Sequence, residues 1–319
     1  MPETILNKTN QELNKMVESL EWYHTIDLGN GVITKGHYDH RPYLHYYRIP
    51  EDLSGKTVLD IGAASGFFSF EFEKRGANVT ATDLPEWFDH DFGPTYDPDQ
   101  SEKSGGIYLH RPFEVAKKAL GARVNKKLIN IYEISPETVG TFDLVFCSSL
   151  LLHLTDPIKA FWNIASVTKE KAIVATVITR EESMRPTATM LGYQRGDVWW
   201  IPTRTTLELM AVTAGFEGVE WISEFQLNLS GKSTGLYHGV LHAYKTTENC
   251  TSKIKNKDEI INQVHDVPNL EREVEHMRTE IEALRQQLQL YEQSRVYRLP
   301  RWIHKQIRGI RDSLGNNYV

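Results

Sequence analysis

The sequence predicts an α/β fold built on a mostly parallel, seven-stranded sheet. Three observations predict it. Residues 57–245 alternate apolar runs of strand length with helical patterns, which places helices on both faces of a sheet. The first run, "TVLDIG", leads into a turn of small residues before a helical stretch. The second run, "NVTATD", ends in Asp83, 23 residues after Asp60.

Seven segments read as strands: "TVLDIG", "NVTATD", "LINIYE", "FDLVFCSS", "KAIVATVI", "GVEWIS" and "GVLHAYK". Before them, residues 1–50 form an N-terminal segment. Leu13, Met16, Val17 and Leu20 recur at helical spacing and predict a helix over 10–22. The aromatic stretch from Glu21 to Pro50 is punctuated by Gly29, Gly31 and Gly36 and reads as loop and short strand, a lid segment.

The sheet domain is expected over 51–245, and the polar, aperiodic residues 246–257 read as a linker. A coiled coil is expected over 258–293. Val267, Leu270, Val274, Met277, Ile281, Leu284, Leu288 and Tyr291 are spaced alternately three and four apart, the seam of a coiled coil. Pro268, two residues after Asp266, marks the expected helix start. Residues 294–319 form a basic tail. Val296, Leu299, Ile303, Ile307, Ile310 and Leu314 share one face of a helix there, opposite the basic residues. This pattern suits a membrane surface or a protein partner, and RNA phosphates are a further option.

Composition narrows the class. The chain has 319 residues, 40% hydrophobic and 24% charged, enough for a sizeable core. Its two cysteines, Cys147 and Cys250, form neither a metal spacing nor a disulfide framework, so no metal and a reducing compartment are expected. No apolar run is long enough to span a bilayer and no secretory leader is visible, so a cytoplasmic location is expected, peripheral to the membrane if the tail binds lipid. The net charge is −6. Six cations between residues 294 and 311, with no acid among them, leave −12 for the rest. An anionic partner would therefore meet the tail.

The chemistry concentrates in "VLDIGAASGFFSFEFEKRGANVTATD". Asp60 ends a strand, and Gly62, Ala64 and Gly66 alternate through a tight turn where backbone can approach a ligand. The helix that follows begins with unpaired N–H groups. A carboxylate at Asp83 can accept both hydroxyls of a ribose. Asp60 precedes the first glycine and the third glycine comes early, which departs from a dinucleotide fingerprint.

This pattern resembles motifs I and II of class I S-adenosylmethionine (SAM) dependent methyltransferases, with Ala64 in place of the middle glycine. The resemblance implies a Rossmann-like methyltransferase fold and SAM as cofactor. It implies cofactor contacts at Asp60, Gly62, Ala64, Gly66, Asp83 and Leu84. It also implies that Tyr132 and Glu133, at the end of "LINIYE", flank the adenine, and that Cys147 and Ser148 lie beside the methionine portion. Cys147 reads equally well as a small buried core residue. His153 stands where the family often has a histidine before "L-x-D-P", as a catalytic candidate or as a structural histidine. If the acceptor is a hydroxyl, a base helps remove its proton, and His24, His37, His40 and His153 are the candidates, with His153 and His37 favoured.

"LSGKTVLDIGAASGFFSFE", "FDLVFCSSLLLHLTDP" and "GDVWWIPTRTTLELMAVTAGF" resemble the bacterial tRNA wobble-uridine 5-oxyacetic-acid methyltransferase and carboxymethyltransferase branch. That likeness implies Arg195, Trp199 and Trp200 near the cofactor or substrate, as a lid. Trp199 stands where members using carboxy-SAM have a tyrosine, and the basic N-terminal pattern of those members has no counterpart. Plain SAM is therefore expected rather than carboxy-SAM. The string "SRVYRLPRWIHKQIR" after a coiled coil resembles tails of bacterial glycan-assembly enzymes. Three readings stay open. The first is methyl transfer to a small-molecule or glycan hydroxyl beside a cell-surface polysaccharide machine. The second is tRNA wobble-uridine modification. The third is a non-catalytic scaffold self-associating through residues 267–291.

Overall fold

A computed structural model describes residues 2–84, 89–93, 110–180, 186–192, 198–247 and 254–293. Two compact units divide the chain, residues 1–264 and 265–319.

The first unit is organised by an eight-stranded sheet in the order β12-β10-β11-β7-β6-β3-β4-β5. Its strands are β3 (Thr57–Ile61), β4 (Asn78–Asp83), β5 (Asn125–Leu128), β6 (Phe142–Ser148), β7 (Thr168–Val177), β10 (Gly218–Asn228), β11 (Gly235–Tyr244) and β12 (Lys255–Asn256). Strands β5, β4, β3, β6 and β7 run parallel. The long β10–β11 hairpin pairs antiparallel with β7, and β12 pairs antiparallel with β10. Six of the seven expected strands are present, the third is displaced to β5, and β12 adds a further strand inside the stretch read as linker.

Burial of both faces explains the apolar runs in the sequence. On β3 and β6, Val58, Leu144 and Phe146 pack into one core cluster, while Leu59, Val145 and Cys147 pack into the other. Helices α2 (Phe67–Lys74) and α3 (His110–Leu120) contribute Phe68, Phe72 and Phe113 to the first cluster. Helices α4 (Pro157–Val167) and α5 (Arg204–Thr213) contribute Phe161, Ile164 and Leu207 to the second.

Strand β3 is the middle of the five parallel strands, with β4 on one side and β6 on the other. The chain runs outward from β3 through β4 and β5, then returns to β6 on the other side, and a crevice opens at the carboxyl ends of β3, β4 and β6, where open α/β sheets bind ligands.

The N-terminal segment roofs that crevice. Helix α1 spans Pro2–Glu18, earlier than the expected 10–22. The chain then extends into β1 (Trp22–His24), which pairs in parallel with β2 (Gly36–Tyr38). The pair brings Gly36 so close to His24 that a Cβ on Gly36 would lie 2.1 Å from the His24 carbonyl carbon. A 3₁₀ segment, Arg41–Tyr47, buries Tyr47 completely. Three bonds seat the segment: Tyr23 N–H to Ser65 Oγ (3.0 Å), Ser223 Oγ to the Tyr46 carbonyl (2.7 Å) and Ser230 N–H to the His37 carbonyl (2.8 Å).

Two further expectations are corrected. The "LINIYE" strand lies earlier, at β5, and Ile131–Glu133 form a 3₁₀ turn instead. The Asn130 side chain accepts the Tyr132 N–H at 3.0 Å, a local bond that favours the turn over extension. Helix α6 (Lys257–Gln293) starts well before Pro268, which sits inside it. Asn256 and Glu259 exchange bonds of 3.0 and 2.9 Å, Asn256 N–H to Glu259 Oε2 and Glu259 N–H to Asn256 Oδ1, a reciprocal cap stronger than the Pro268 signal.

The first unit also extends past the expected boundary at Lys245. Ile260 is buried in the core, and Lys255 Nζ bonds the buried Glu208 carboxylate at 2.9 Å. A hairpin of β8 (Ala188–Met190) and β9 (Trp200–Pro202) completes the unit. The basic tail at 294–319 lies outside the described residues.

Candidate active site

Backbone and carboxylate bonds hold the turn after β3. Gly62 N–H and Ala63 N–H both donate to the Thr82 carbonyl, at 2.9 and 3.0 Å, tying β3 to β4. Gly62, Ala64 and Gly66 all adopt positive φ, at 75°, 47° and 91°. Glycine suits the outer two positions for a second reason. A Cβ on Gly62 would lie 3.2 Å from Leu150, and one on Gly66 would lie 2.7 Å from the Phe70 and Phe113 rings.

Asp83 closes this turn. Its Oδ2 accepts the Ala64 N–H at 2.8 Å and its Oδ1 accepts the Leu84 N–H at 2.9 Å. Each oxygen keeps a further lone pair for a ligand hydroxyl. Asp60 is buried behind it and accepts the Ser69 hydroxyl at 2.5 Å. Burial pushes the Asp60 carboxyl up to about 7, Ser69 opposing and the Asp83 charge adding. Burial also raises Asp83, against the pull of Lys126 and its two backbone donors. Two raised carboxylates in one crevice favour a cationic ligand.

Two adjoining cavities open here and share Gly62, Asp83, His90, Leu150 and His153. The first is lined further by Asp60, Ala64 and Ser148, and under the N-terminal roof by Tyr23, His24 and His40. The second continues past Leu84 to Asn130 and Ile131. Thus Asp60, Gly62, Ala64, Asp83, Leu84, Ser148 and His153 are brought together. Gly66 instead sits at the N-terminus of α2.

Other expected residues fall elsewhere. Cys147 is fully buried in the second core cluster, where burial pushes its thiol up, so it packs as a core residue. Tyr132 lines neither cavity but bonds Asp91, which lines the second. Its hydroxyl donates to Asp91 Oδ2 at 2.5 Å and accepts the Asp156 N–H at 3.0 Å. Glu133 is exposed, and Asn130 and Ile131 occupy the wall expected of this pair. His37 is exposed on the outer side of the roof, 2.9 Å from Glu21, and lines neither cavity.

Trp199 bonds through its backbone N–H to the Leu152 carbonyl (2.7 Å) and through Nε1 to the Asp91 carbonyl (2.6 Å). It braces the second cavity from outside. Trp200 Nε1 donates to the Thr155 carbonyl at 3.3 Å, and its ring lines a separate apolar pocket with Ile158 and Met210. Arg195 lies outside the described residues.

Of the proposed bases, His24 and His40 face the first cavity as neutral rings. Burial lowers His24 to about 3 and takes His40 well below the usual value, with His24 and His238 adding to the effect on His40. Tyr47 Oη lies 3.2 Å from His40 Nδ1.

One pair was not anticipated. Ser149, at φ 54°, lines the first cavity with its Oγ 3.1 Å from His238 Nε2. His238 Nδ1 lies 2.9 Å from the Leu236 carbonyl, which can only accept. Nδ1 therefore carries the proton, and Nε2 accepts from Ser149. Ser149 follows a recognisable strand end, but His238 comes from β11, 89 residues away, with no local signal. Asp91 was missed as well. Its Oδ2 gathers bonds from Tyr132, from Thr155 N–H and from Thr155 Oγ1, within a stretch that has no periodicity. Among the described residues, no group of three or more His, Cys, Asp or Glu is placed to hold a metal ion.

Comparison with known proteins agrees with this geometry. A family model described as "Methyltransferase domain" matches residues 37–220. Ubiquinone biosynthesis O-methyltransferases from Dechloromonas aromatica (strain RCB) and Pseudomonas aeruginosa (strain UCBPP-PA14) are each 32% identical over 108 residues. Each match spans 33% of this chain and 36% of the relative, so the chain covers about a third of the relatives' length. Among solved structures, the N-terminal domain of EvdMO1, crystallised with SAH and D-fucose, superposes with a TM-score of 0.52 at 17% identity. That match covers 74% of this chain and 96% of that one, and shows a shared fold. With the family model covering more than half of its length and the sheet order, turn and acidic strand ends all in place, the chain belongs to the methyltransferase-domain family.

Proposed function

We propose that this methyltransferase binds SAM in the crevice at the ends of β3 and β4 and transfers its methyl group to a hydroxyl of a small acceptor. The carrying observation is the positive-φ turn from Gly62 to Gly66, fastened by Asp83 over the buried Asp60. When bound, SAM supplies an electrophilic methyl on a sulfonium.

The chain's own residues divide the remaining work. Asp83 would accept the ribose hydroxyls with the lone pairs its backbone bonds leave over. Asn130 and Ile131 would border the base, and Asp60 with the backbone of Ala63 and Ala64 would face the cationic amino-acid portion. The roof from Tyr23 to Tyr47 excludes water and holds the acceptor in line, and alignment supplies much of the rate in such a displacement. For the acceptor's proton, His24, His40, His153 and the Ser149–His238 pair are candidates at the cavity. The pair would take it at Ser149 Oγ as the serine proton moves to His238 Nε2. His37, outside the cavity, is not assigned this role.

The acceptor class rests on three supports. The roofed cavity is of small-molecule size, with aromatic walls at Phe68 and Phe146. The partial relatives are O-methyltransferases by name. The tail sequence resembles those of glycan-assembly enzymes, which keeps a sugar hydroxyl among the candidate acceptors. The tRNA reading, carboxy-SAM, membrane contact and the non-catalytic scaffold are the competing readings.

Calorimetry with SAM, followed by a SAH-release assay on catechols, nucleotide sugars and bulk tRNA, tests the proposal. SAM binding with SAH release on a hydroxyl-bearing small molecule is expected. Absence of SAM binding would overturn it, and release on tRNA alone would replace the acceptor.

A further inference from the structure

Helix α6 carries an apolar seam in the open. Met277, Ile281, Leu284 and Leu288 are 52, 49, 58 and 48% exposed. Four large apolar side chains on one line of a helix, all left in water, mark a contact surface rather than scattered surface residues. The identities along the seam specify the occupant.

In the heptad register, Val267, Val274, Ile281 and Leu288 take the a positions, and Leu270, Met277, Leu284 and Tyr291 take d. β-Branched residues at a with leucine at d favour two parallel strands over three or four. The flanking charges agree. Glu273 and Glu280 fall at g, Arg278 and Arg285 at e. Between parallel in-register helices, each g residue faces the e residue five positions on in the partner. Glu280 would then face Arg285 of a second copy, and Glu273 would face Arg278. In an antiparallel pair centred on the seam, g faces g and e faces e, setting Glu280 on Glu280 and Arg278 on Arg278 at its centre. Among the described residues of one chain the two arginines have weak, exposed partners, Arg278 to Glu275 at 3.7 Å and Arg285 to Glu282 at 3.6 Å.

We infer that the exposed seam of α6 is the interface of a parallel, in-register homodimer whose orientation is set by Glu280–Arg285 and Glu273–Arg278 pairing between copies. The inference is independent of the reaction assigned above.

Sedimentation of the full chain tests it. A dimer of the 36.7 kDa chain is expected, falling to monomer in the double variant I281E/L284E. Both positions are exposed, so the first unit should keep its melting temperature. Glu280→Lys should raise the dimer dissociation constant about tenfold, Arg285→Glu likewise, and E280K/R285E should restore most of the loss. A monomeric or trimeric wild type, or a dimer unchanged in I281E/L284E, would overturn the interface. Tighter association of E280K would overturn the parallel orientation, because it would relieve the glutamate contacts of an antiparallel pair.

Discussion

The Ala64 amide donates to Asp83 Oδ2 at 2.8 Å, so the carboxylate proposed to hold the ribose also fixes the turn after β3. In that proposal cofactor recognition and local fold are joined in one side chain. Asp83→Ala should therefore weaken SAM binding at least about 100-fold, or about 2.8 kcal/mol, measured by calorimetry. Unchanged affinity would remove the ribose assignment. Its melting temperature should fall too, since two buried amides lose their acceptor at about 1–3 kcal/mol each.

Ala64 holds a left-handed conformation at φ 47°. That conformation costs an alanine roughly 1–2 kcal/mol. Ala64→Gly removes the cost but adds freedom to the unfolded chain, worth about 0.4–1 kcal/mol. The relief exceeds the cost, so Ala64→Gly should stabilise the protein in denaturant by up to about 1.6 kcal/mol and SAM affinity should hold. Ala64→Val, with a branched Cβ at the same angles, should lose both.

Asp91 collects three bonds on one oxygen, from the Tyr132 hydroxyl and from both donors of Thr155. Burial, then the Asp91 bond, raises Tyr132 to about 12, so it stays a donor. Asp91→Ala should destabilise the protein by about 2–3 kcal/mol in thermal unfolding. It should also weaken SAM binding, because Asp91 lines the second cavity. Tyr132→Phe should show a smaller loss of the same kind.

His24, His40, His238 and His242 are all lowered by burial, His24 and His242 to about 3 and His238 to about 4. The unfolded chain binds protons there before the folded chain does. Their contribution is therefore complete above about pH 6.5 and is lost as pH falls toward 4. Asp60, held at about 7, works the other way, since folding retains a proton that the unfolded chain releases. The histidines outnumber it, so stability should fall with acid below pH 6.5. His242 donates through Nε2 to the Tyr47 carbonyl at 2.9 Å. His242→Gln keeps a donor and removes the titration. The slope of unfolding free energy between pH 6 and 4.5 should become shallower by up to about 1.4 kcal/mol per pH unit. An unchanged slope would count against a neutral buried His242.

The central strands and the acidic turn were legible because each is encoded locally. "TVLDIG" and "NVTATD" carry their burial and their ligand groups within a few residues. The Tyr132 turn was misplaced because the Asn130 side chain redirects a run that otherwise reads as a strand. Strand β12 was hidden in polar sequence, since its two residues join the sheet by backbone pairing and by the Lys255 contact with Glu208. The Ser149–His238 and His242–Tyr47 contacts join distant segments, and no spacing in a single sequence announces them.

Position 36 carries the last consequence. With the His24 carbonyl carbon 2.1 Å from where a methyl would stand, even alanine forces the β1–β2 pair apart. In a saturation library scored for folding or activity, the row for residue 36 should retain glycine alone, while exposed neighbours such as His37 accept many replacements. The height of the ceiling over the reaction chamber is thus set by a single hydrogen atom.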